Sequence, residues 1–168
     1  TNNILVNPLG WKAIIDTGGA SAVRGVKAFV RDMSSKPRVP VMVEPDAFEV
    51  GETVAVTKGT VVLKTRMFEL IQYAPQTEKV SEVPLLMIPP VINKYYILDI
   101  APDRSMIEHY VQGGQQVFAI SWRNPKARHR DWGFDEYGQA IIEAIDATRT
   151  ITGANSTNIF GTCSGGIL

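Results

Sequence analysis

The sequence has 168 residues, of which 45% are hydrophobic and 20% are charged, a composition typical of a globular protein with a packed core. Seventeen Lys and Arg residues balance seventeen Asp and Glu residues, so overall charge does not favour nucleic acid or an anionic membrane as a partner. The single cysteine excludes an intramolecular disulfide, and neither a secretory signal nor an apolar stretch of the roughly 20 residues that span a bilayer is predicted.

Residues 1–83 are predicted to form an N-terminal region that is first helical and then β-rich. Apolar residues at helical spacing over 8–35 are interrupted by Gly18 and Gly19, which predicts two helices or one broken helix. Three prolines then favour an extended connector over 36–47. The short β-rich runs that predict a small antiparallel sheet or hairpin are Val54–Val56, Val61–Leu63 and Phe68–Tyr73.

From residue 84 onward the pattern changes to that of a parallel α/β fold. Helices are predicted over Asp103–Gln112, with Asp103 as its N-cap, and over Asp135–Ile151, where apolar residues recur at i, i+3 and i+4. The alternation of strands and helices predicts the α/β class, with a parallel sheet over 84–168. The short apolar runs that suit strands covered on both faces are Leu85–Ile88, Val117–Ile120 and Asn158–Phe160.

The last of these runs continues into Gly-Thr-Cys-Ser-Gly, which predicts a nucleophile elbow. In such an elbow a sharp strand-to-helix turn lifts the central side chain, here Cys163, in a strained backbone geometry. Gly161 and Gly165 stand where the strand and the helix would pass too close for a β-carbon. The N–H of Ser164 would then donate to the oxyanion that forms when the thiolate attacks a carbonyl. The alternative is a small buried cysteine without chemistry.

A cysteine at this position favours acyl transfer over hydrolysis. Attack by Cys163 on a thioester exchanges one thioester for another at nearly equal free energy, so the acyl group stays activated and can pass to an alcohol. Val91 and Ile92 follow the first core strand, where α/β-hydrolases place the second oxyanion donor. The alternative is that Pro89 and Pro90 only shape the exit from that strand.

The base that deprotonates the thiol is not evident in the sequence. His109 lies in a predicted helix, and His129 lies in the basic run 126–130, where cationic neighbours disfavour an imidazolium. Both are predicted to be surface or loop residues, and the basic run is predicted to be a solvated loop. Arg123 follows the second core strand at the edge where ligands bind in open α/β sheets, so it could meet a phosphate or pair with an acid.

Several long strings, in this order, make the sequence similar to the polyhydroxyalkanoate synthases over almost its whole length. The resemblance implies an α/β-hydrolase-like catalytic domain over 84–168, cut off just after a lipase-like box whose Cys163 carries the acyl group. It implies an acyltransferase that polymerises (R)-3-hydroxyacyl-coenzyme A into polyhydroxyalkanoate, such as poly(3-hydroxybutyrate), with release of coenzyme A. The strings are FEVGETVAVTKGTVV (48–62), ELIQYAPQTEKV (69–80), PLLMIPPVINKYYILDIAPDRS (84–105), QVFAISWRNP (116–125) and GTCSGG (161–166).

The same resemblance carries expectations about the whole protein. It implies a homodimer at the surface of polyester granules in the cytoplasm, with the growing polyester as a partner and with no metal or cofactor beyond the substrate. The family's aspartate and histidine that activate the thiol have no counterpart here, so the chain is expected to be an inactive fragment of a single-chain synthase. Two alternatives stay open: a thiol-dependent esterase or depolymerase of the same fold, and a noncatalytic granule-associated protein.

Overall fold

The computed structural model describes residues 3, 6–36, 38–42, 44 and 46–168, and the chain divides into two compact units, 1–47 and 48–168. The first unit holds helices α1 (Pro8–Asp16) and α2 (Ala20–Ser34). Two helices form, rather than one broken helix, because Gly18 and Gly19 between them take positive φ values of 55° and 87°. Pro37 and Pro45 of the expected connector lie outside the described residues.

The second unit is built on a mixed five-stranded sheet with the order β1-β2-β4-β3-β5. Strand β3 runs parallel to both β4 and β5, whereas β2 is antiparallel to both β1 and β4. The α/β class is therefore confirmed, and the three strands within 84–168 are parallel as expected. The whole sheet is mixed because the antiparallel pair β1 and β2, expected as a separate small sheet or hairpin, joins it through β4. The strands are β1 (Gly59–Lys64), β2 (Phe68–Tyr73), β3 (Leu85–Ile88), β4 (Val117–Trp122) and β5 (Asn158–Gly161).

The β-rich run before residue 84 belongs to this same sheet. Because β2 pairs with β4, the boundary expected between residues 83 and 84 falls inside the second unit. The expected strand over Val54–Val56 does not form, since Ala55 has a φ of 57° and Val54 makes only an isolated bridge to Val50.

Two helices cover opposite faces of the sheet. Helix α3 (Met106–Gln112) packs Ile107 and Val111 on one face, and α4 (Phe134–Thr152) packs Ala140 and Ala144 on the other. Strand β3 is buried throughout its length, as expected for a strand covered on both sides. No helix among the described residues is long and apolar enough to cross a membrane.

Helix α3 begins later than the sequence predicts. Ser105 is its N-cap, and the Ser105 hydroxyl accepts a hydrogen bond of 2.9 Å from the N–H of Glu108. Asp103, the expected cap, has a φ of 62° and lies before the helix. The serine therefore satisfies the N–H of the third helical residue, a capping role that the sequence pattern predicted for the aspartate.

A buried carboxylate ties the segment before β1 to the segment before α3. Asp99 is 1% exposed, and its side chain accepts hydrogen bonds from the Thr57 hydroxyl at 2.7 Å and from the Thr57 N–H at 3.3 Å. The Asp99 carbonyl also accepts from the N–H of Ala55 at 2.8 Å. These bonds replace the strand pairing that Val54–Val56 does not make.

Candidate active site

Cys163 is the first residue of a short 3₁₀ helix, Cys163–Gly166, which follows β5 after Thr162. Its φ is 52°, in the left-handed region that residues other than glycine rarely adopt. The residue is exposed, and it is a free thiol. The chain thus holds a thiol in an uncommon backbone conformation, open to solvent at the carboxyl end of a strand.

Two glycines flank Cys163 at points where the backbone leaves no room for a side chain. A β-carbon on Gly161 would lie 2.7 Å from the carbonyl oxygen of Gly165 and 2.7 Å from the Cα of Gly166. A β-carbon on Gly165 would overlap the carbonyl oxygen of Ile88 and would lie 2.9 Å from that of Pro89. The turn therefore packs directly on its own strand and on the end of β3.

The loop after β3 meets the turn next to Cys163. The N–H of Val91 donates to the Ser164 hydroxyl at 3.1 Å, so these two oxyanion-hole candidates are brought together. The N–H of Ser164 lies in the first turn of the 3₁₀ helix, where a backbone N–H has no acceptor within the helix. Ile92 is 84% exposed and has no hydrogen bond to the turn among the described residues.

Trp122 fixes the position of the loop after β3, a role that was not predicted from the sequence. Its indole N–H donates to the Pro89 carbonyl at 2.9 Å, and its ring packs edge-on against Tyr137 with centroids 5.2 Å apart. The N–H of Thr162 donates to the Ile88 carbonyl at 3.1 Å. A tryptophan at the end of a buried strand needs a hydrogen-bond partner for its indole N–H. This need is the feature of the sequence that could have indicated a structural role for Trp122.

A cleft of about 200 Å³ opens beside the turn. Its lining is mostly apolar and includes Ser164, the residue that follows the cysteine. Such a cleft suits an apolar group placed next to a thiol. Its main lining residues are Val91, Trp132, Phe134, Tyr137, Ser164 and Leu168.

Neither histidine contacts the cysteine among the described residues. His109 lies in α3, with its ring 5.7 Å from that of Tyr110. Burial, and after it the neighbouring Arg128, lowers the pKa of His129, so its imidazole is neutral at pH 7. The cationic neighbourhood expected around His129 is therefore present.

Two further points concern ligands of the site. Arg123 has no carboxylate partner among the described residues, so the acid pairing considered for it does not form there. Within the described part of the chain, no group of three or more His, Cys, Asp and Glu side chains could hold a metal ion.

Comparison with known proteins decides the family. Residues 1–110 match the family described as "Poly-beta-hydroxybutyrate polymerase (PhaC) N-terminus". The chain belongs to this family. The resemblance read from the sequence strings is therefore confirmed, and the PhaC match begins in the helical unit and extends into α3 of the sheet unit.

Curated relatives of the PhaC family align along the whole chain. It is 45% identical over 166 residues to "Poly(3-hydroxyalkanoate) polymerase 2" of Ectopseudomonas oleovorans, covering 99% of this chain and 30% of that protein. It is 42% identical over 168 residues to "Poly(3-hydroxyalkanoate) polymerase subunit PhaC" of Cupriavidus necator, covering 99% of this chain and 28% of that protein. The chain thus spans less than a third of the length of these relatives, whose names describe polymerases of 3-hydroxyalkanoates.

Proposed function

We propose that the protein carrying this chain is an acyltransferase that polymerises (R)-3-hydroxyacyl-coenzyme A, with Cys163 as the covalent acyl carrier. The observation that carries the proposal is the geometry of the turn: an exposed thiol at a φ of 52°, between two glycines whose close contacts exclude a β-carbon. Membership of the PhaC family and the polymerase names of its relatives support the same chemistry.

The first step loads the enzyme. The Cys163 thiolate attacks the thioester carbonyl, a carbon–sulfur bond to Sγ forms, and the bond to the coenzyme A sulfur breaks. Coenzyme A leaves as a thiolate and takes up the proton that the cysteine lost. Because one thioester replaces another, the acyl group keeps its activation.

The second step extends the polymer. The hydroxyl of a 3-hydroxyacyl chain attacks the Cys163 thioester, an ester bond forms, the carbon–sulfur bond to Sγ breaks, and the proton of the hydroxyl returns to Sγ. In both steps the backbone N–H groups of Ser164 and Val91 donate to the oxyanion, for which Val91 exchanges its bond to the Ser164 hydroxyl. Ile92 is the remaining candidate for the second donor.

We place the base that accepts the thiol proton outside residues 1–168, because neither His109 nor His129 contacts Cys163. The resemblance to the synthases supports an aspartate and a histidine for this role. From the same resemblance we propose a homodimer that works without a cofactor at the surface of cytoplasmic polyester granules.

The test uses the full-length protein that carries this sequence and radiolabelled (R)-3-hydroxybutyryl-coenzyme A. We expect polymer and free coenzyme A from the wild type, and acyl label on the peptide that contains Cys163. Cys163→Ala should lower turnover by at least about a thousandfold, as the loss of a nucleophile does in other enzymes. Ser156→Ala, at an exposed position just before β5, is the matched control and should retain activity.

Two outcomes would replace the proposal. Release of free hydroxy acid without polymer would assign the protein to the thiol-dependent esterases or depolymerases. No label on the peptide and full activity of Cys163→Ala would leave a noncatalytic, granule-associated protein.

A further inference from the structure

Cationic side chains gather around the ring of Trp132. The N–H of Arg123 donates to the carbonyl of Met67 at 2.8 Å, so the antiparallel pairing of β2 with β4 places Arg123 beside the β1–β2 turn that carries Arg66. The guanidinium carbon of Arg66 lies 5.6 Å from the centroid of the Trp132 ring. A cation over an indole face is held by the ring quadrupole, so Trp132 organises Arg66.

His129 brings two more cationic residues to the same ring. Its imidazole stacks on Trp132 with centroids 4.2 Å apart and an interplanar angle of 1°. The backbone N–H of Lys126 donates to Nδ1 at 3.1 Å, and Nε of Arg128 lies 3.0 Å from Nε2. The charges of both side chains also contribute to the lowered pKa of His129. We define the cationic cluster as Arg66, Arg123, Lys126 and Arg128.

The charges of the cationic cluster lie close to the His129 ring. After burial, all four of its members lower the pKa of His129, in the order Arg128, Arg123, Arg66 and Lys126. An anionic ligand on this face would be attracted by all four charges.

Carboxylates offset the charge of the cationic cluster only in part. Among the described residues, none of its four members forms a direct ion pair, although, after the hydrogen bond from the N–H of Gly133, the charge of Arg66 also helps to lower the pKa of Glu136. The Glu136 carboxylate near Arg66 accepts a hydrogen bond of 2.7 Å from the N–H of Gly133. The chain has a net charge of zero, but the four positive charges of the cluster lie close together and repel one another. A bound anion would reduce this repulsion.

The cationic cluster is connected to the candidate active site. Trp132, which organises the cluster, also lines the 200 Å³ cleft to which Ser164 contributes. A ligand with an anionic end at the cluster and a flexible arm along the cleft would reach the turn that holds Cys163. Arginine guanidinium groups bind phosphate oxygens in a bidentate manner, which favours a phosphorylated ligand.

We propose that the cationic cluster binds the phosphate groups of the nucleotide end of coenzyme A while the thioester reaches Cys163 through the cleft. The proposal rests on the proposed function for its ligand and adds a place for the part of that ligand that does not react. The Trp132 ring is already in contact with His129 and Arg66, so the proposal assigns the phosphate groups, and not the adenine ring, to this site.

The test compares two substrates of the full-length protein: (R)-3-hydroxybutyryl-coenzyme A and the same acyl group on pantetheine, which lacks the nucleotide. Arg66→Ala, Arg123→Ala and Arg128→Ala should each lower kcat/KM for the coenzyme A thioester by about tenfold, mainly through KM, as expected for one lost charge-assisted contact. The kcat/KM for the pantetheine thioester should not change. Arg149→Ala, at the far end of α4, is the matched control and should leave both substrates unaffected.

Substrate dependence decides the outcome. Equal losses for the two thioesters would show that the arginines support the turn and would overturn the proposal, as would unchanged kinetics with coenzyme A. Arg123→Lys keeps the charge but not the bidentate geometry, so its kcat/KM for the coenzyme A thioester should lie between those of the wild type and Arg123→Ala. Arg123→Glu reverses the charge and should have the lowest value.

A binding measurement separates this proposal from the proposed function. If Cys163 is not acylated by either thioester, the proposed function fails, and calorimetry with adenosine 3′,5′-bisphosphate still tests the cluster. Binding by the wild type that is lost in Arg123→Glu supports the site, and no binding overturns it. Equal affinity for inorganic phosphate would assign a general phosphate site and overturn the assignment to coenzyme A.

Discussion

The hydroxyl of Tyr73 lies in the apolar layer between the sheet and α3, and it has no hydrogen-bond partner among the described residues. Burial, followed by the charges of Asp99 and Tyr95, raises the pKa of Tyr73 far above its ordinary value. Burial and Asp99 also raise the pKa of Tyr95. The folded state therefore strongly disfavours a tyrosinate next to the buried Asp99 carboxylate.

Tyr73→Phe should be neutral or stabilising by about 1 kcal/mol at pH 7, because it removes an unsatisfied hydroxyl and keeps the ring. A tyrosine pKa that folding raises contributes stability below the unfolded pKa of about 10, and this contribution is lost as pH rises above it. The wild type should therefore lose up to about 1.4 kcal/mol per pH unit more than the variant above pH 10. Urea unfolding of both proteins at pH 8 and at pH 10.5 measures the difference.

Thr57→Val is the contrasting change at the same cluster, because it leaves the Asp99 carboxylate buried with one donor fewer. We expect the free energy of unfolding to fall by about 1–3 kcal/mol at pH 7.

For the tyrosine variant, a strong loss of stability in Tyr73→Phe would contradict the prediction, because it would show that the Tyr73 hydroxyl is hydrogen-bonded in solution.

At the scale of the element, the strand-turn-helix around Cys163 depends on backbone contacts that a methyl group would break. Gly165→Ala places a β-carbon against the carbonyl oxygens of Ile88 and Pro89, so the turn and β3 must separate. We expect a loss of stability of about 1–3 kcal/mol, the usual cost of overpacking, together with changed reactivity of the Cys163 thiol. Thermal unfolding and the rate of labelling by a thiol reagent measure the two effects.

The matched control is Gly138→Ala in α4, where a β-carbon meets nothing within 4 Å. Alanine is the better helix former, so this variant should gain up to about 1 kcal/mol and keep the thiol reactivity of the wild type. If Gly165→Ala behaved like Gly138→Ala, the close packing of the turn on β3 would be wrong.

Sequence patterns predicted the helices and strands that are determined by residues close together in the sequence. The apolar runs became β3, β4 and β5 because buried strands need continuous hydrophobic side chains, and the 3.6-residue period placed α4 within a residue of its ends. Pairing partners are not encoded locally, so the antiparallel union of β2 with β4 was missed. The start of α3 was missed because Asp103 and Ser105 are both good N-caps.

The candidate site likewise has parts that the sequence predicts and parts that depend on tertiary structure. The position of Cys163 between two glycines could be read from five consecutive residues. The contact of Val91 with Ser164 joins residues 73 positions apart, and the approach of Arg66 to Trp132 depends on the sheet that joins β2 to β4. Such contacts follow from tertiary structure, which a single sequence does not display.

At the scale of the whole molecule, the sheet has two edges of different character. Edge strand β1 carries a register shift between Val61 and Leu63 and ends in Lys64, features that discourage pairing with another chain. Among the described residues, edge strand β5 pairs only with β3, has no charged residue, and exposes 52% of Ile159. An uncharged, apolar edge of this kind is a site for self-association.

The 168-residue chain, expressed by itself, should therefore associate in a concentration-dependent manner through β5. Ile159→Lys should weaken the association by about tenfold, because a lysine on an edge strand opposes pairing. Val61→Lys on β1, at a position that is 48% exposed, is the matched control and should change little. Sedimentation velocity over a dilution series measures both, and equal effects of the two lysines would place the association elsewhere.

The turn that holds Cys163 packs on the loop that holds Val91 through main-chain atoms, since Gly165 lies against the carbonyl oxygens of Ile88 and Pro89. The Pro89 carbonyl also accepts a hydrogen bond from the indole N–H of Trp122. The locations of the two N–H groups are thus independent of which side chains residues 91 and 92 carry. A substitution of Val91, which lines the cleft, would therefore change the shape of the cleft while the two N–H groups stay in place.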